Sequence, residues 1–350
     1  MSSKQAEKVA NARQFETTQT STNCWFEEDI SPGLRVKARL RGMMVSTKSE
    51  FQDIEIIETA AFGKTLILDG LTQSAQLDEF CYHESLVHPA LLQVAMLRND
   101  GSLPKTVFIG GGGELATARE VLRHKSVERV VMVDLDGIVV DVCRRFLPEW
   151  GGEEIATNPR LELVIGDAYE YLMNTKETFD VIIMDINDPV EAGPGIVLYT
   201  KEFYEHAVTR LNEYGVLVTQ SGMAHSIPHL MGNTEEDPAC FAPIRNTLQS
   251  VFDCVVPFTS HIPSFGGDWG FCLAFNTPTG STTEQLVKTA RLPEDGVVDA
   301  MVEKCIEGGN LGYYDGETHV LMFHLTKPLR KSLDNEKRIM TKDNPIYMFK

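Results

Sequence analysis

Residues 104–114 read Pro-Lys-Thr-Val-Phe-Ile-Gly-Gly-Gly-Gly-Glu and carry the clearest structural signal in the 350-residue chain. Residues 106–109 are β-branched or apolar, which is typical of a strand buried in a parallel sheet. Four glycines and an acid follow, and residues 116–122 have the composition of a helix. A strand, a glycine turn and a helix in this order form the first half of a doubly wound nucleotide site, because glycine permits a sharp turn and the close approach of a ligand.

Downstream of this stretch, predicted strands and helices alternate. The strands are 129–133, 161–165, 179–184 and 215–219, and the helices between them are 138–146, 168–173 and 201–211. This alternation favours a parallel sheet covered by helices. We interpret residues 252–258 and 269–275 as closing antiparallel strands, and residues 281–350 as mostly helical.

Upstream, residues 34–77 alternate between short strands and glycine-centred turns, a pattern that predicts β-hairpins. A helix begins after Asp78, which we expect to cap it. The domains predicted from these patterns are a disordered polar tail at 1–26, a β-hairpin domain with a linking helix at 27–103, and a Rossmann-like catalytic domain with C-terminal helices at 104–350. The predicted fold class is therefore α/β, with a doubly wound sheet preceded by a small antiparallel domain.

Composition narrows the classes of partner. A net charge of −18 would repel nucleic acid and anionic membranes and attract cations, although acidity alone is also common in soluble proteins. No apolar run is long enough to span a bilayer, and the N-terminus lacks the hydrophobic segment of a signal peptide. Seven scattered cysteines without a CxxC pair indicate reduced thiols rather than a zinc site. We expect a cytoplasmic protein that binds no nucleic acid, no membrane and no metal.

Acidic residues stand at or just beyond four predicted strand ends, namely Glu114, Asp134, Asp167 and Asp185. Ligands of an open parallel sheet bind outside the carboxyl ends of its strands. A single acid at such a point could equally serve a loop or a helix cap. Four of them on one rim favour a binding site.

The spacing of these acids suggests what they bind. Asp134 lies 23 residues beyond Gly111, the usual separation for an acid that bonds ribose hydroxyls, and Asp167 could accept a hydrogen bond from an adenine amino group. Residues 111–116 also fit the GxGxxA pattern of a dinucleotide site, yet Glu114 would face the pyrophosphate with a negative charge. We therefore favour a nucleoside without phosphates, an S-adenosyl sulfonium compound, and a fold of the class I S-adenosylmethionine-dependent transferase type.

The loop 185–194, Asp-Ile-Asn-Asp-Pro-Val-Glu-Ala-Gly-Pro, adds further negative charge to this rim. Asp185, Asp188 and Glu191 together favour a cationic substrate, and their crowding would raise some of their pKa values. A carboxylate beside an amine can orient it and take its proton. Capping of the next helix is the alternative role, but a cap needs one acid and not three.

These residues together resemble the spermidine/spermine synthase family of aminopropyltransferases. The resemblance extends over about residues 34–333, and its motifs are Gln52-Asp-Ile, Leu68-Asp-Gly-Leu-Thr-Gln73, Asp78-Glu-Phe, Tyr82-His-Glu84, Ile109-Gly-Gly-Gly-Gly-Glu114, Asp134-Leu-Asp136, Gly166-Asp-Ala168, Asp185-Ile-Asn-Asp-Pro189 and Leu311-Gly-Tyr-Tyr-Asp315. The family implies aminopropyl transfer from decarboxylated S-adenosylmethionine to an amine, with methylthioadenosine as the second product, no other cofactor, and a homodimer or homotetramer.

The resemblance also implies a role for each matching residue. Those that would hold the donor nucleoside are Gln52, Gln73, Asp134, Asp167, Ala168 and Pro194, those that would hold amines are Tyr82, His83, Glu114 and Asp188, and Asp185 would be the base. Glu114 would bind the ammonium of the donor and repel the carboxylate of intact S-adenosylmethionine. A histidine such as His83 is by itself more often structural than a ligand, but its position between Tyr82 and Glu84 at the start of a helix slightly favours a functional role. Leu115 stands where the family usually has glycine, and it could crowd the ligand or pack under the helix.

Within the family, the chain resembles the thermospermine synthases of plants and algae. The motifs are Pro189-Val-Glu-Ala-Gly-Pro194, Leu198-Tyr-Thr-Lys201, Val218-Thr-Gln220 and 261–270. Phe265 and Ile186-Asn187 differ from the Tyr and Ser-Ser of spermidine synthases, which implies spermidine rather than putrescine as the acceptor. Spermine synthase, spermidine synthase, a methyltransferase and a non-catalytic polyamine-binding protein remain the alternatives.

Overall fold

The computed structural model describes residues 13–14, 23–31, 34–98, 100–191, 193–225, 239–277 and 283–348. Two sheets organise these residues. Strands β1–β6 form an antiparallel N-terminal sheet, and β7–β13 form a larger sheet in the order β12-β13-β11-β10-β7-β8-β9. The predicted α/β fold class is confirmed.

The N-terminal sheet is built on one long strand. Its strands are β1 (Arg13–Gln14), β2 (Trp25–Ser31), β3 (Leu34–Lys48), β4 (Asp53–Thr59), β5 (Gly63–Leu68) and β6 (Leu71–Ala75). The first half of β3 pairs with β2 and its second half pairs with β1 and β4. Most of the predicted tail 1–26 lies outside the described residues, but β1 and the start of β2 fall inside it and are part of this sheet.

The strands of the central sheet are β7 (Thr106–Gly111), β8 (Arg129–Asp134), β9 (Leu161–Ile165), β10 (Phe179–Asp185), β11 (Leu211–Met223), β12 (Cys254–Ile262) and β13 (Gly267–Phe275). Five of them, β11-β10-β7-β8-β9, run parallel, and β13 and β12 add an antiparallel edge. The sheet is wound outward in both directions from the boundary between β7 and β10, and ligands of such sheets bind at this boundary.

Helices cover both faces of the central sheet. They are α1 (Glu79–Leu97), α2 (Ala116–Leu122), α3 (Gly137–Phe146), α4 (Gly152–Ala156), α5 (Ala168–Asn174), α6 (Lys201–Ala207), α7 (Phe241–Gln249), α8 (Thr283–Arg291), α9 (Val297–Cys305), α10 (Gly316–Phe323) and α11 (Lys327–Asn335). Short 3₁₀ turns occupy Pro148–Trp150, Pro194–Tyr199, Val208–Arg210 and Pro263–Phe265. None of the helices in the described part of the chain is both long and apolar enough to cross a membrane.

The N-terminal sheet packs onto the central unit through a shared apolar core. Ile54, Ile56 and Leu66 of the small sheet pack with Ile138 and Val142 of α3. The indole Nε1 of Trp150 also donates a 2.6 Å hydrogen bond to Ser74 Oγ. This packing fixes the position of the hairpins above the carboxyl ends of the central strands.

Two local predictions were wrong in detail. Asp78 precedes α1 as expected, but its side chain makes no capping bond and instead accepts from the backbone N–H of Ser264 at 2.7 Å. The helix predicted to end at Leu211 ends at Ala207, because a 3₁₀ turn follows and β11 already begins at Leu211.

Candidate active site

A cavity of about 370 Å³ lies at the carboxyl ends of the central strands, under the N-terminal sheet. Ten acidic residues line it, and they are Glu28, Asp29, Asp69, Glu114, Asp134, Asp136, Asp167, Asp185, Asp188 and Glu191. No lysine or arginine from the described part of the chain joins this wall. A concave site with one sign of charge concentrates ligands of the opposite sign, so the cavity suits a cation.

The glycine turn forms the floor where β7 meets β10. Gly111 pairs with Asp185 in the parallel register, and the N–H of Gly112 donates to the carbonyl of Asp185 at 2.9 Å. Gly111 has a φ of +83°, and a Cβ at this position would lie 2.0 Å from the Asp185 oxygen. Only glycine therefore allows the turn to bring the acid-bearing end of β10 beside β7.

The half of the cavity beside the glycine turn, which we call the donor half after the ligand predicted for it, joins the two sheets through Gln52. Its Nε2 donates to Asp136 Oδ2 at 3.0 Å, and Asn187 Nδ2 donates to its Oε1 at 3.4 Å. Asp134 accepts from the N–H of Asp136 at 2.8 Å. Burial raises the pKa of Asp134 to about 7, and the nearby charge of Glu114 adds to this rise.

Asp167 caps a helix and also lines this half of the cavity. Its Oδ1 caps α5 by accepting from the N–H groups of Tyr169 and Glu170 at 2.7 and 3.4 Å. The alternative that an acid here is a helix cap is therefore correct for one oxygen. The second oxygen accepts no hydrogen bond from the described residues, and Asp167 lines the cavity.

Asp185 lies at the centre and is held at both oxygens. The hydroxyl of Tyr82 donates to Oδ1 at 2.7 Å, and the hydroxyl of Thr117 donates to Oδ2 at 2.5 Å. Burial and then the charge of Glu114 raise the pKa of Asp185, the charge of His83 and the two hydroxyl bonds oppose the rise, and the resulting pKa is about 6. A carboxyl group with this pKa is ionised at neutral pH and can accept a proton there.

Glu114 is oriented from behind by a chain of charged groups. His83 Nε2 lies 3.1 Å from Glu114 and its Nδ1 lies 2.7 Å from Glu79, which Arg119 contacts at 2.9 Å. Burial lowers the pKa of His83, but the hydrogen bonds to Glu114 and Glu79 outweigh it and raise the pKa to about 10. His83 is therefore a cation that donates to both acids.

The position of His83 differs from the prediction that it contacts an amine. Its side chain is fully buried and does not line the cavity, because Glu114 stands between the ring and the open space. The ligand atoms of His83, Glu114 and Asp185 lie within 4.8 Å of one another. Both ring nitrogens nevertheless face carboxylates at hydrogen-bond distance, so this trio has no imidazole lone pair to offer a metal.

The other half, which we call the acceptor half after the amine predicted to bind there, extends from Asp185 towards Asp188. Gln220 Nε2 donates to Asp188 Oδ1 at 3.0 Å, and the indole Nε1 of Trp269 donates to Gln220 Oε1 at 3.0 Å. Burial raises the pKa of Asp188, the bond from Gln220 opposes this rise, the charge of Glu28 adds to it, and the resulting pKa is about 7. Glu28 is itself held by the Thr72 hydroxyl at 2.5 Å.

The other predicted residues are assembled at the same cavity. Those on its wall are Gln52, Gln73, Tyr82, Glu114, Asp134, Asp167, Ala168, Asp185, Asp188 and Pro194, and Phe265 and Trp269 line it as well. Leu115 does not reach the wall and packs in the core under α2.

Sequence reasoning missed several wall and support residues. Glu28, Gln220 and Met348 line the cavity, and Thr117 holds Asp185. Gln220 stood inside a motif noted for its resemblance but received no role. Glu28 and Met348 lie near the two ends of the chain, and no local pattern links either of them to the glycine turn.

Comparison with known proteins agrees with the family resemblance noted in the sequence. Residues 79–284 match the spermine/spermidine synthase domain, and residues 24–76 match the spermidine synthase tetramerisation domain. A polyamine aminopropyltransferase from Sulfurisphaera tokodaii is 37% identical over 87% of this chain and 91% of its own length. A thermospermine synthase from Arabidopsis thaliana is 38% identical over 93% of this chain and 87% of its own length.

Solved structures show the same relationship. A spermidine synthase in complex with the transition-state analogue AdoDATO superposes with a TM-score of 0.75 at 28% identity, over 92% of this chain and 99% of that one. The spermidine synthase of Thermotoga maritima gives a TM-score of 0.74 at 27% identity, over 92% and 98% of the two chains. The chain therefore belongs to the spermine/spermidine synthase family and is a polyamine aminopropyltransferase.

Proposed function

We propose that this enzyme transfers an aminopropyl group from decarboxylated S-adenosylmethionine to spermidine and forms thermospermine and methylthioadenosine. The observation that carries the proposal is that the acceptor half continues beyond Asp185 to further acids. Beyond Asp185, two further carboxylates, Asp188 and Glu28, line this part of the cavity, and Glu28 raises the pKa of Asp188 through its charge. A triamine has one nitrogen for each of these three acids, whereas putrescine has only two nitrogens.

The donor occupies the half of the cavity that is lined by the glycine turn. Asp134 bonds the ribose hydroxyls, and the free oxygen of Asp167 accepts from the adenine amino group. Gln52, Gln73, Ala168 and Pro194 complete the nucleoside wall. Glu114 holds the ammonium of the aminopropyl group and disfavours the carboxylate of intact S-adenosylmethionine through like-charge repulsion.

The reaction needs no covalent enzyme intermediate. The acceptor nitrogen attacks the aminopropyl carbon next to the sulfonium, the new C–N bond forms as the C–S bond breaks, and the sulfur keeps the electron pair in neutral methylthioadenosine. A free alkylamine with a pKa of about 10.4 is protonated at neutral pH. Asp185 therefore accepts the proton that the acceptor nitrogen loses, while Tyr82 and Thr117 hold its two oxygens.

The position of attack is the finer part of the proposal. Thermospermine forms when the nitrogen at the aminopropyl end of spermidine faces Asp185, and spermine forms when the nitrogen at the aminobutyl end does so. Phe265 and Trp269, whose ring centroids are 4.8 Å apart, provide the apolar wall against which the methylene segments would lie. The similarity to the Arabidopsis thaliana thermospermine synthase favours the first orientation.

Product analysis tests this proposal. The purified protein is incubated with decarboxylated S-adenosylmethionine and with putrescine, spermidine or spermine in separate reactions, and the products are separated by chromatography. We expect a tetraamine from spermidine that co-elutes with thermospermine, together with methylthioadenosine. Spermine as the sole product from spermidine would contradict the proposed position of attack. Activity with putrescine and none with spermidine would contradict the proposed acceptor. Methylated products formed from intact S-adenosylmethionine would favour a methyltransferase.

We also propose that the chain forms a homo-oligomer through its N-terminal sheet. The region 24–76 matches a domain described by its role in tetramer formation. Trp25 and Leu34, which are 48% and 42% exposed, provide apolar surface on the β2–β3 hairpin. Light scattering coupled to gel filtration distinguishes a dimer from a tetramer, and a monomer at micromolar concentration would contradict the proposal.

A further inference from the structure

The chain does not end with α11 but returns to the cavity. After Asn335, the residues that we call the C-terminal tail (336–348) cross the ends of α6 and α7. The N–H of Met340 donates to Thr247 Oγ1 at 2.9 Å, and its carbonyl accepts from the N–H of Lys201 at 2.8 Å. The tail is thereby anchored well before its last described residue, and its path ends at the acceptor half.

Met348 contacts the loop 185–194 through its backbone. Its N–H donates to the carbonyl of Pro189 at 2.7 Å, one residue beyond Asp188. Its side chain is 2% exposed and lines the cavity. The tail therefore contributes both a backbone tether for the loop that carries Asp185 and Asp188 and a side chain in the cavity wall.

Gly222 shows how close Met348 is to Asp188. A Cβ added to Gly222 would lie 3.0 Å from Met348 Sδ and 3.5 Å from Asp188 Oδ1. The thioether and the carboxylate are thus neighbours over the same glycine. An ammonium held by Asp188 would have its adjoining methylene groups within reach of an apolar, adaptable side chain.

This pairing matches the chemistry of a polyamine better than an acid alone. A carboxylate attracts any small cation, including a metal ion or ammonium, and does not measure chain length. A polyamine alternates charged nitrogens with short methylene segments. An apolar wall beside the acid therefore favours binding of an amine whose methylene segment lies against the wall while its nitrogen contacts the acid. The same wall disfavours an amine that would place a charged nitrogen against it, because that nitrogen would be buried without a polar partner.

We propose that Met348 is a specificity-determining residue, and that the C-terminal tail forms part of the acceptor site by placing an apolar wall beside the Asp188 carboxylate. The inference rests on the proposed amine-binding role of Asp188. It goes beyond that role because it assigns the recognition of the methylene segment to a residue outside both the glycine turn and the 185–194 loop.

The test compares Met348→Ala, Met348→Leu and a truncation after Asn344 in the full-length enzyme. Steady-state kinetics measure KM separately for the donor and for the amine that the wild type uses best. We expect Met348→Ala, which removes three heavy atoms from the wall, to raise the acceptor KM by at least about tenfold, the effect of a single missing methylene in an apolar pocket, while the donor KM changes less than about twofold. Met348→Leu should restore most of the acceptor affinity, and the truncation, which also removes the tether, should lower kcat as well.

Ile346→Ala is the matched control. Ile346 lies in the same tail and packs against the core without lining the cavity, so its loss should leave both KM values unchanged. An unchanged acceptor KM in Met348→Ala, or an equal rise for donor and acceptor, would overturn the inference. If the wild type prefers another amine to spermidine, the proposed acceptor is wrong, but the ratio of variant to wild-type KM for that amine still tests Met348.

Discussion

The hydroxyl of Tyr82 lies 2.7 Å from Asp185 Oδ1 and donates to it, although the two residues are 103 positions apart in the chain. The bond joins the first turn of α1 to the end of β10, at the boundary where the sheet is wound in opposite directions. Tyr82 is one of two hydroxyl donors that lower the pKa of a carboxyl group which burial raises. The reactivity of Asp185 therefore depends on a contact between distant parts of the sequence.

Tyr82→Phe should shift the pH dependence of the reaction. Loss of a donor that stabilises the ionised form raises the pKa of Asp185 above about 6. Asp185 must be ionised to accept a proton, so activity falls as pH falls through this pKa. The acidic limb of the kcat/KM–pH profile should move upward by roughly 1 unit. A uniform loss of activity with an unmoved limb would assign Tyr82 to substrate binding only.

Asp185→Asn should lose most turnover and keep the fold. Removal of a general base lowers kcat by about 10²–10⁴. The amide still accepts a hydrogen bond from a hydroxyl, and the variant avoids the cost of a buried charge, so thermal unfolding should not occur at a lower temperature. Single-turnover kinetics measure the chemical step, and calorimetry with methylthioadenosine measures the nucleoside site. Wild-type turnover in this variant would remove Asp185 as the base.

Glu79→Gln should weaken donor binding, although residue 79 does not line the cavity. With one anionic partner gone, the pKa of His83 falls below about 10, and the hydrogen bond that fixed the ring against residue 79 is weakened. Above the lowered pKa, a neutral imidazole donates to one neighbour instead of two. Glu114 then loses its fixed orientation, and we expect the donor KM to rise about tenfold, or ~1.4 kcal/mol. In the variant, this KM should increase further as pH rises through the lowered pKa of His83.

A control for this prediction exists further along the same helix. Glu84 is buried and does not line the cavity, and its carboxylate accepts from the backbone N–H groups of Gly312 and Tyr313 at 2.8 Å each. Glu84→Gln should lower thermal stability and leave the donor KM at the wild-type value. If both variants change the donor KM alike, the Glu79–His83–Glu114 chain has only a structural role.

Asp188→Asn should stabilise the free protein at alkaline pH while it raises the acceptor KM. The pKa of Asp188 is raised from 3.8 to about 7, so the folded protein holds this proton more tightly than the unfolded chain does. Its carboxyl group therefore costs stability progressively as pH rises from about 4 to about 7. Scanning fluorimetry should show a higher Tm for the variant at pH 8 and little difference at pH 4. A lower Tm at pH 8 would contradict this assignment.

Leu115→Gly tests why the chain departs from glycine in its central turn. Leu115 has a φ of +78° and its side chain is fully buried. Relief of this backbone strain would gain about 1–3 kcal/mol, but removal of a buried leucine side chain costs about 2–5 kcal/mol. We expect a net loss in the free energy of unfolding, measured by urea titration. Because Leu115 does not line the cavity, the donor KM should stay unchanged, and a lower KM would show that the side chain crowds the ligand.

The local sequence pattern was sufficient to predict the strands, the glycine turn and the acids that follow the strand ends. Glu114, Asp134, Asp167 and Asp185 lie at one rim because the carboxyl ends of parallel strands meet at the same edge of a sheet. Their residue types and their positions relative to the strands are both visible in the sequence. The anionic character of the cavity followed from the same information.

Tertiary packing decided which side chains face the cavity and which stand behind it. α1 is buried on nearly all sides, so its sequence shows no polar face that could distinguish Tyr82, on the wall, from His83 behind it. Asp78 likewise makes no capping bond and accepts instead from the backbone N–H of Ser264, which is 186 positions away in the chain. Glu28 and Met348 reach the acceptor half from opposite ends of the chain, and their meeting there depends on how the two sheets and the tail pack, which no pattern of neighbouring residues records.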